Sequence, residues 1–162
     1  MKDRVTHKKL LELLEYNQDS GVFKRKLTVR QYKAGTEAGC FTKAGYVVIC
    51  IDRKNYMAHV LAWFYVFGEW PTCQVDHRNG IGTDNRFSNL RDVSTAINAQ
   101  NKHRARSDST VGLLGVVKNR NKFTARIKVG GKRTNIGTFG TAEQAHNEYV
   151  KAKRLLHEGC TI

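Results

Sequence analysis

Strict alternation of apolar and polar side chains runs through residues 122–129, and it leaves this segment few choices of fold. The apolar face of the extended chain comprises Phe123, Ala125, Ile127 and Val129. The other face comprises Lys122, Thr124, Arg126 and Lys128. Gly130-Gly131 follows, a two-residue turn of the kind that joins antiparallel strands. We therefore predict a hairpin with one apolar and one cationic face.

The surrounding C-terminal residues extend this pattern to three strands and a helix. Strands are predicted over residues 113–118, 122–129 and 132–139. Thr141 and Gln144 form a capping box that starts a helix. Apolar residues then recur every three or four positions: Ala142, Ala145, Tyr149, Ala152 and Leu156. We expect this helix to cover the apolar sheet face and to leave the cationic face open.

The charge of the chain favours a polyanionic partner. The 162 residues have a formal charge of +14, and residues 102–162 hold 13 Lys/Arg against 4 Asp/Glu. Lys and Arg that neutralise phosphates release counterions, which favours nucleic-acid binding. A merely soluble basic protein is the alternative. The positive charge leads us to expect double-stranded DNA as partner. Because no long apolar run is present, we expect no membrane.

The N-terminal segment predicts helices and short strands. Thr6 can cap a helix through Tyr16, and strands are predicted over 22–26 and 45–51. Residues 58–67 predict a buried helix that Gly68 ends.

The middle segment predicts the order strand, loop, strand, helix. The strands are Gln74 to His77 and Leu90 to Val93, joined by a loop over 78–86, and Ser94 caps a helix to about Lys102. The expected fold class is α+β, with a module over 1–102, a basic linker over 103–111 and a second module over 112–162.

Asp76, His77 and Asn98 are the residue types that phosphodiester hydrolysis requires. A neutral histidine can take a proton from water, and a hard divalent ion held by oxygen ligands stabilises the phosphate charge. Adjacent strand side chains point to opposite faces, so Asp76 and His77 can serve one centre only if the strand ends or twists there. Asn98 lies one turn into the following helix. If strand and helix pack together, its side-chain oxygen could join Asp76 at the metal.

Structural alternatives exist for each of these residues. His77 could be a hydrogen-bonded structural histidine, Asp76 a turn residue and Asn98 an exposed polar residue. Cys73 with His77 would need two more ligands from distant positions to hold zinc. The four cysteines show no paired spacing and are compatible with a reducing cytoplasm.

One run of the sequence resembles the HNH endonucleases, the ββα-metal fold of homing endonucleases and their phage relatives. It comprises Val75-Asp-His-Arg-Asn-Gly80, Asn85-Arg86, Ser88-Asn-Leu90 and Asn98-Ala-Gln-Asn101. The resemblance implies His77 as general base and Asn89 as the residue that ties down the loop. It also implies Asp76 and Asn98 as ligands of Mg²⁺, for which Mn²⁺ would substitute.

Two flanking regions extend this resemblance. The segment from His59 to Pro71 is similar to the helix before the motif in phage-type members, with Val60 where arginine is common. Gly21-Val-Phe and the Ala34-Gly…Ala38-Gly pattern fit the same group.

The C-terminal segment resembles the plant ethylene-response-factor (AP-two) DNA-binding domain. The matching features are Gly115-Val116, Phe123-Thr-Ala-Arg126-Ile, Gly131-Lys-Arg133, Gly137-Thr-Phe139 and Thr141-Ala-Glu-Gln-Ala145, without that domain's common tryptophans. That family lays its sheet in the major groove. The resemblance and the alternation together give the expected DNA contacts: Lys118, Arg120, Arg126, Lys128 and Arg133.

Together these patterns favour a metal-dependent endonuclease that nicks or cleaves double-stranded DNA, acting in the bacterial cytoplasm if phage-encoded. The alternatives are a non-catalytic, sequence-specific DNA-binding regulator and an RNA-binding protein. A monomer would nick one strand, and a homodimer could cut both.

Overall fold

The protein, described from a computed structural model covering residues 4–106 and 108–162, combines α-helices with small antiparallel sheets. The predicted α+β class is confirmed. The chain divides into two compact units between Ser94 and Thr95. No helix of the described residues is long and apolar enough to cross a membrane.

The first unit is built from short strands around a buried helix. Its elements in chain order are α1 (His7–Leu13), β1 (Leu14–Asn17), β2 (Val22–Arg25), β3 (Cys40–Phe41), β4 (Val47–Ile51), β5 (Lys54–Met57), α2 (Ala58–Phe67), β6 (Gln74–His77), a 3-10 turn (Phe87–Asn89) and β7 (Leu90–Val93). β1 pairs with β2, β6 pairs with β7, and β3, β4 and β5 form a three-stranded antiparallel sheet.

Helix α2 forms the centre of the first unit's core. Leu61 and Ala62 on this helix are fully buried, as is Leu10 on α1. The helix has the predicted bounds, and Gly68 ends it in the left-handed conformation with φ 74°. Because β6 and β7 each contribute a buried apolar residue to this core, α2 supports the strand pair that carries the candidate site.

Helix α1 is shorter than predicted. It ends at Leu13, and residues 14–17 form β1 instead of the three further helical positions predicted. The strand lets Tyr16 stack on Phe23 with ring centroids 4.6 Å apart, and both rings are buried. Tertiary burial in a hairpin has therefore overridden the local helical pattern.

The second unit contains a three-stranded sheet covered on one face by a helix. Its elements are α3 (Thr95–Gln100), β8 (Val116–Asn119), β9 (Lys122–Val129), β10 (Lys132–Phe139) and α4 (Ala142–Leu156). The strands are antiparallel in the order β10-β9-β8. Apolar residues of the sheet and of α4 form one buried cluster: Val116, Ala125, Ile127, Ala145 and Tyr149.

The C-terminal end of α4 differs from the predicted pattern. Leu156 is 52% exposed, and the buried position is taken by Lys153, whose ammonium donates to the carbonyl of Lys102. Gly159 N donates to Gln100 Oε1 at 3.0 Å. Residues that follow β7 therefore pack against the C-terminal tail, which explains why α3 belongs to the second unit.

Strand β8 begins at Val116, three residues later than predicted, because the chain turns at Gly115. Gly115 has φ +77°, and a Cβ there would lie 2.1 Å from an atom of the Tyr149 ring. Only glycine allows this approach of the backbone to α4.

Gly115→Ala should therefore loosen the second unit more than Gly112→Ala does. Gly112 has φ +71° but open space around its Cβ position, so alanine there should cost only the left-handed backbone penalty of about 1–2 kcal/mol. At position 115 overlap with Tyr149 should add about 1–3 kcal/mol. Amide hydrogen exchange in β8, β9 and β10 measures the difference, and equal protection in the two variants would contradict this packing.

Candidate active site

His77 is the last residue of β6, and its imidazole is held in one orientation. The residue is 5% exposed, and its Nε2 lies 3.1 Å from Asn85 Oδ1. Asn85 Nδ2 points to the carbonyl of Thr83, so the amide oxygen faces the ring. An amide oxygen can only accept a hydrogen bond, so Nε2 carries the proton and the lone pair of the neutral ring lies on Nδ1.

Burial favours the neutral form of this ring. Loss of hydration lowers the pKa of His77 below its ordinary value, although the bond to Asn85 and the charges of Asp76 and Asp84 act in the opposite direction. His59 lies beside it, with ring centroids 4.8 Å apart, and burial together with His77 lowers the pKa of His59 to about 4. Two neutral imidazoles therefore meet here at neutral pH.

The β1–β2 hairpin fixes the position of Asn85. The Tyr16 hydroxyl donates to the Asn85 carbonyl at 2.6 Å, and burial raises the pKa of Tyr16, so the hydroxyl stays protonated. A Cβ on Gly21, which has φ +73°, would lie 2.4 Å from the backbone of Asn85 and Arg86. The partner that orients His77 is therefore held by residues more than sixty positions earlier in the chain.

Asn89 ties together the loop between β6 and β7. Its Nδ2 donates to Asn79 Oδ1 at 3.0 Å and to the Asp84 carbonyl at 2.7 Å, while its Oδ1 accepts from Asn79 N at 3.0 Å. Arg86 binds both carboxylate oxygens of Asp84. These bonds give the loop one conformation and so hold Asn85 against His77.

Asp76 is buried and paired with an arginine on the neighbouring strand. It aligns with Arg91 across the β6–β7 pair, and Arg91 Nε and Nη2 both bind its Oδ2, at 3.0 and 2.8 Å. A carboxylate is the kind of oxygen donor that Mg²⁺ prefers.

Asn98 lies in α3, the first helix of the second unit, and is half-buried. The other predicted site residues, Asp76, His77 and Asn89, lie on the β6–β7 strand pair and the turn before β7. Among residues 4–106 and 108–162, no three or more His, Cys, Asp or Glu side chains are grouped to hold a metal.

The open face of the second unit's sheet is cationic. Arg126 and Lys128 are exposed on β9, and Arg133 on β10 lies directly opposite Lys128. Residues 116–139 contain no Asp or Glu. Like charges placed opposite each other across strands repel, and a bound polyanion would relieve that repulsion.

The remaining two predicted contacts lie off this face. Lys118 aligns with Phe123, on the side that α4 covers, and is exposed on the edge strand β8. Arg120 is exposed in the β8–β9 turn with φ 52°.

Sequence reasoning missed Asn85, Tyr16 and Arg91. Asn85 lies among residues typical of loops, and its spacing from His77 follows no period that would reveal the bond. Arg91 could have been found, because antiparallel pairing of the two predicted strands puts it opposite Asp76.

Residues 56–100 match the model of the HNH endonuclease family. The matched segment includes Asp76, His77, Asn85, Asn89 and Asn98, and it supports an HNH nuclease that acts on DNA. No curated protein and no solved structure matches the chain.

Replacing Asn85 by alanine should remove the preference of the His77 ring for the tautomer that is protonated on Nε2. In the wild type the ring ¹⁵N shifts should show Nε2 protonated, whereas Asn85→Ala should give a mixture of tautomers because the acceptor is lost. Asn55→Ala, at an exposed asparagine on β5, is the control and should leave the His77 signals unchanged. A wild-type ring protonated on Nδ1 would contradict the assignment.

Proposed function

We propose that this protein is a metal-dependent endonuclease of the HNH homing type, which nicks or cleaves double-stranded DNA. The observation that carries the proposal is the buried His77, whose Nε2–H is fixed by Asn85 and whose Nδ1 therefore bears the lone pair. A general base needs that arrangement, because it must be neutral and must present an unprotonated nitrogen to water. The family match to residues 56–100 supports the same reaction class.

In this proposal His77 is the residue that takes the proton. Its Nδ1 accepts a proton from a water molecule as the water oxygen bonds to phosphorus and the bond from phosphorus to the sugar oxygen breaks. Asn85 keeps the ring oriented throughout, because Nε2–H remains bonded to the same acceptor. Asn89 acts indirectly by keeping the loop, and therefore Asn85, in place.

Asp76 and Asn98 are the residues that would hold Mg²⁺ or, as a substitute, Mn²⁺. The donor chemistry fits, since a buried carboxylate and a side-chain amide oxygen are hard ligands. When bound, the ion supplies charge neutralisation at the phosphate and stabilises the departing oxygen. Arg91 keeps Asp76 oriented through its two bonds to Oδ2.

The second unit would supply affinity and register on the duplex. Three strands with a helix on one face support the proposal of an AP-two-like module, whose sheet would lie in the major groove. We propose Arg126, Lys128 and Arg133 as contacts from the open face. Arg120 at the turn and Lys118 at the sheet edge would reach the flanking backbone.

One such site in a monomer would nick one strand, whereas a homodimer could cut both. The setting we propose is the cytoplasm of a bacterial host of a phage that encodes the protein.

His77→Ala should abolish most cleavage without loss of the fold. Removal of a general base costs about 10²- to 10⁴-fold in rate, so nicking of supercoiled plasmid in Mg²⁺ should fall by at least about 100-fold. His7→Gln is the matched control: this histidine lies in the same unit, bonded to the Tyr65 carbonyl, and its replacement should leave the rate close to wild type.

Two results would decide against the proposal. Unchanged nicking by His77→Ala would remove this residue as the base. Absence of metal-dependent nicking by the wild type, with DNA binding intact, would favour the non-catalytic regulator.

A further inference from the structure

A second cationic surface protrudes from the first unit. We define the basic arm as residues 24–36, which hold five Lys/Arg and no Asp or Glu. Apart from the half-buried Arg25 at its base, every residue of the arm is exposed.

The arm is ordered by its own bonds although it is exposed. Val29 and Tyr32 exchange two backbone hydrogen bonds, at 2.9 and 3.0 Å, so that Arg30 and Gln31 form a tight hairpin tip. Ala34 N donates to Thr28 Oγ1 at 3.0 Å, and the Arg25 guanidinium lies over the Tyr32 ring at 4.4 Å. An exposed segment with this internal order presents its charges in a defined arrangement.

The base of the arm adjoins the candidate active site. A cavity of about 150 Å³ is lined by Phe23 and Glu37, which flank the arm, and also by Thr83 and Asn85 of the loop that orients His77. A duplex with a phosphate at His77 would therefore pass close to the root of this arm.

Arg30 occupies a backbone conformation that disfavours arginine. Its φ is 54°, in the left-handed region, where glycine, asparagine and aspartate are favoured. Neither Arg30 nor Lys33 has a side-chain hydrogen bond or ion pair within residues 4–106 and 108–162. The left-handed backbone at Arg30 therefore costs free energy that no side-chain bond among the described residues offsets.

We propose that Arg30 and Lys33 bind backbone phosphates of duplex DNA beside the cut site, as a clamp separate from the C-terminal sheet. This inference rests on DNA being the substrate, as proposed above. Phosphate contacts carry no base information, so the arm would add affinity to any sequence and hold the duplex against the first unit.

The left-handed backbone at Arg30 allows a variant that removes the positive charge without destabilising the hairpin. Arg30→Gly removes the cation and relieves the left-handed backbone, so the hairpin should be at least as stable as in the wild type. Arg53→Gly is the matched control, because Arg53 is also an exposed hairpin-tip arginine with positive φ. Its neighbour Asp52 binds Lys9, and the turn lies at the end of the β4–β5 hairpin away from Tyr46 and His59.

The test is binding of the full chain to a mixed-sequence 40-base-pair duplex without divalent metal, over a range of salt concentrations. Arg30→Gly should bind about five- to tenfold more weakly near 0.1 M salt, and the log–log salt slope should become shallower by about 0.9. Arg30→Gly combined with Lys33→Gln should change the slope by about twice as much. Arg126→Ala is the positive control for the C-terminal sheet.

Because this assay needs no cleavage, it separates the arm from the proposed reaction. Wild-type affinity and slope in Arg30→Gly, or equal effects of Arg30→Gly and Arg53→Gly, would overturn the clamp whether or not the protein nicks DNA. A photo-crosslinker in place of Gln31, compared with one at Asn55 on β5, gives a second measurement. Crosslinking to DNA from position 31 but not from 55 supports the arm, and equal or absent crosslinking overturns it.

Discussion

Successive side chains of a β-strand point to opposite faces, and this constraint governs the whole candidate site. Asp76 and His77 are neighbours on β6, yet both are buried, so each face must provide a polar partner. Arg91 across the strand pair supplies one for Asp76, and Asn85 from the following loop supplies one for His77. Loss of either partner would remove a hydrogen bond from a buried polar group, which is costly.

The residues that hold Asn85 lie far outside the segment that matches the HNH family. The matched residues are 56–100, but Tyr16 and Gly21, which fix Asn85, belong to the N-terminal hairpin. The same hairpin leads into the basic arm at the end of β2. One supersecondary element therefore links the orientation of the base to a surface suited to phosphate binding.

Elements with strong local signals were predicted closely from the sequence. The bounds of α2, β6, β7, β9 and β10 agree with the structure, because Gly68, the glycine turns and strict alternation define them locally. The end of α1 and the start of β8 were wrong, since each depends on a distant partner, Phe23 for Tyr16 and Tyr149 for Gly115. Asn85 was missed for the same reason: a side-chain bond formed by loop closure leaves no periodic trace in the sequence.

We propose that Asp76 and Asn98 hold the cation that serves the reaction at His77, and paramagnetic broadening by Mn²⁺ tests this most directly. On titration into the full chain, Mn²⁺ should broaden the His77 ring signals first. Loss of a residue that only hydrogen-bonds a metal ligand lowers metal affinity about 10- to 100-fold, and loss of the ligand itself should cost at least as much. Asp76→Ala and Asn98→Ala should therefore each need at least about tenfold more Mn²⁺ for the same broadening. His77 ring signals that Mn²⁺ does not broaden, or that it broadens equally in both variants and the wild type, would contradict this metal site.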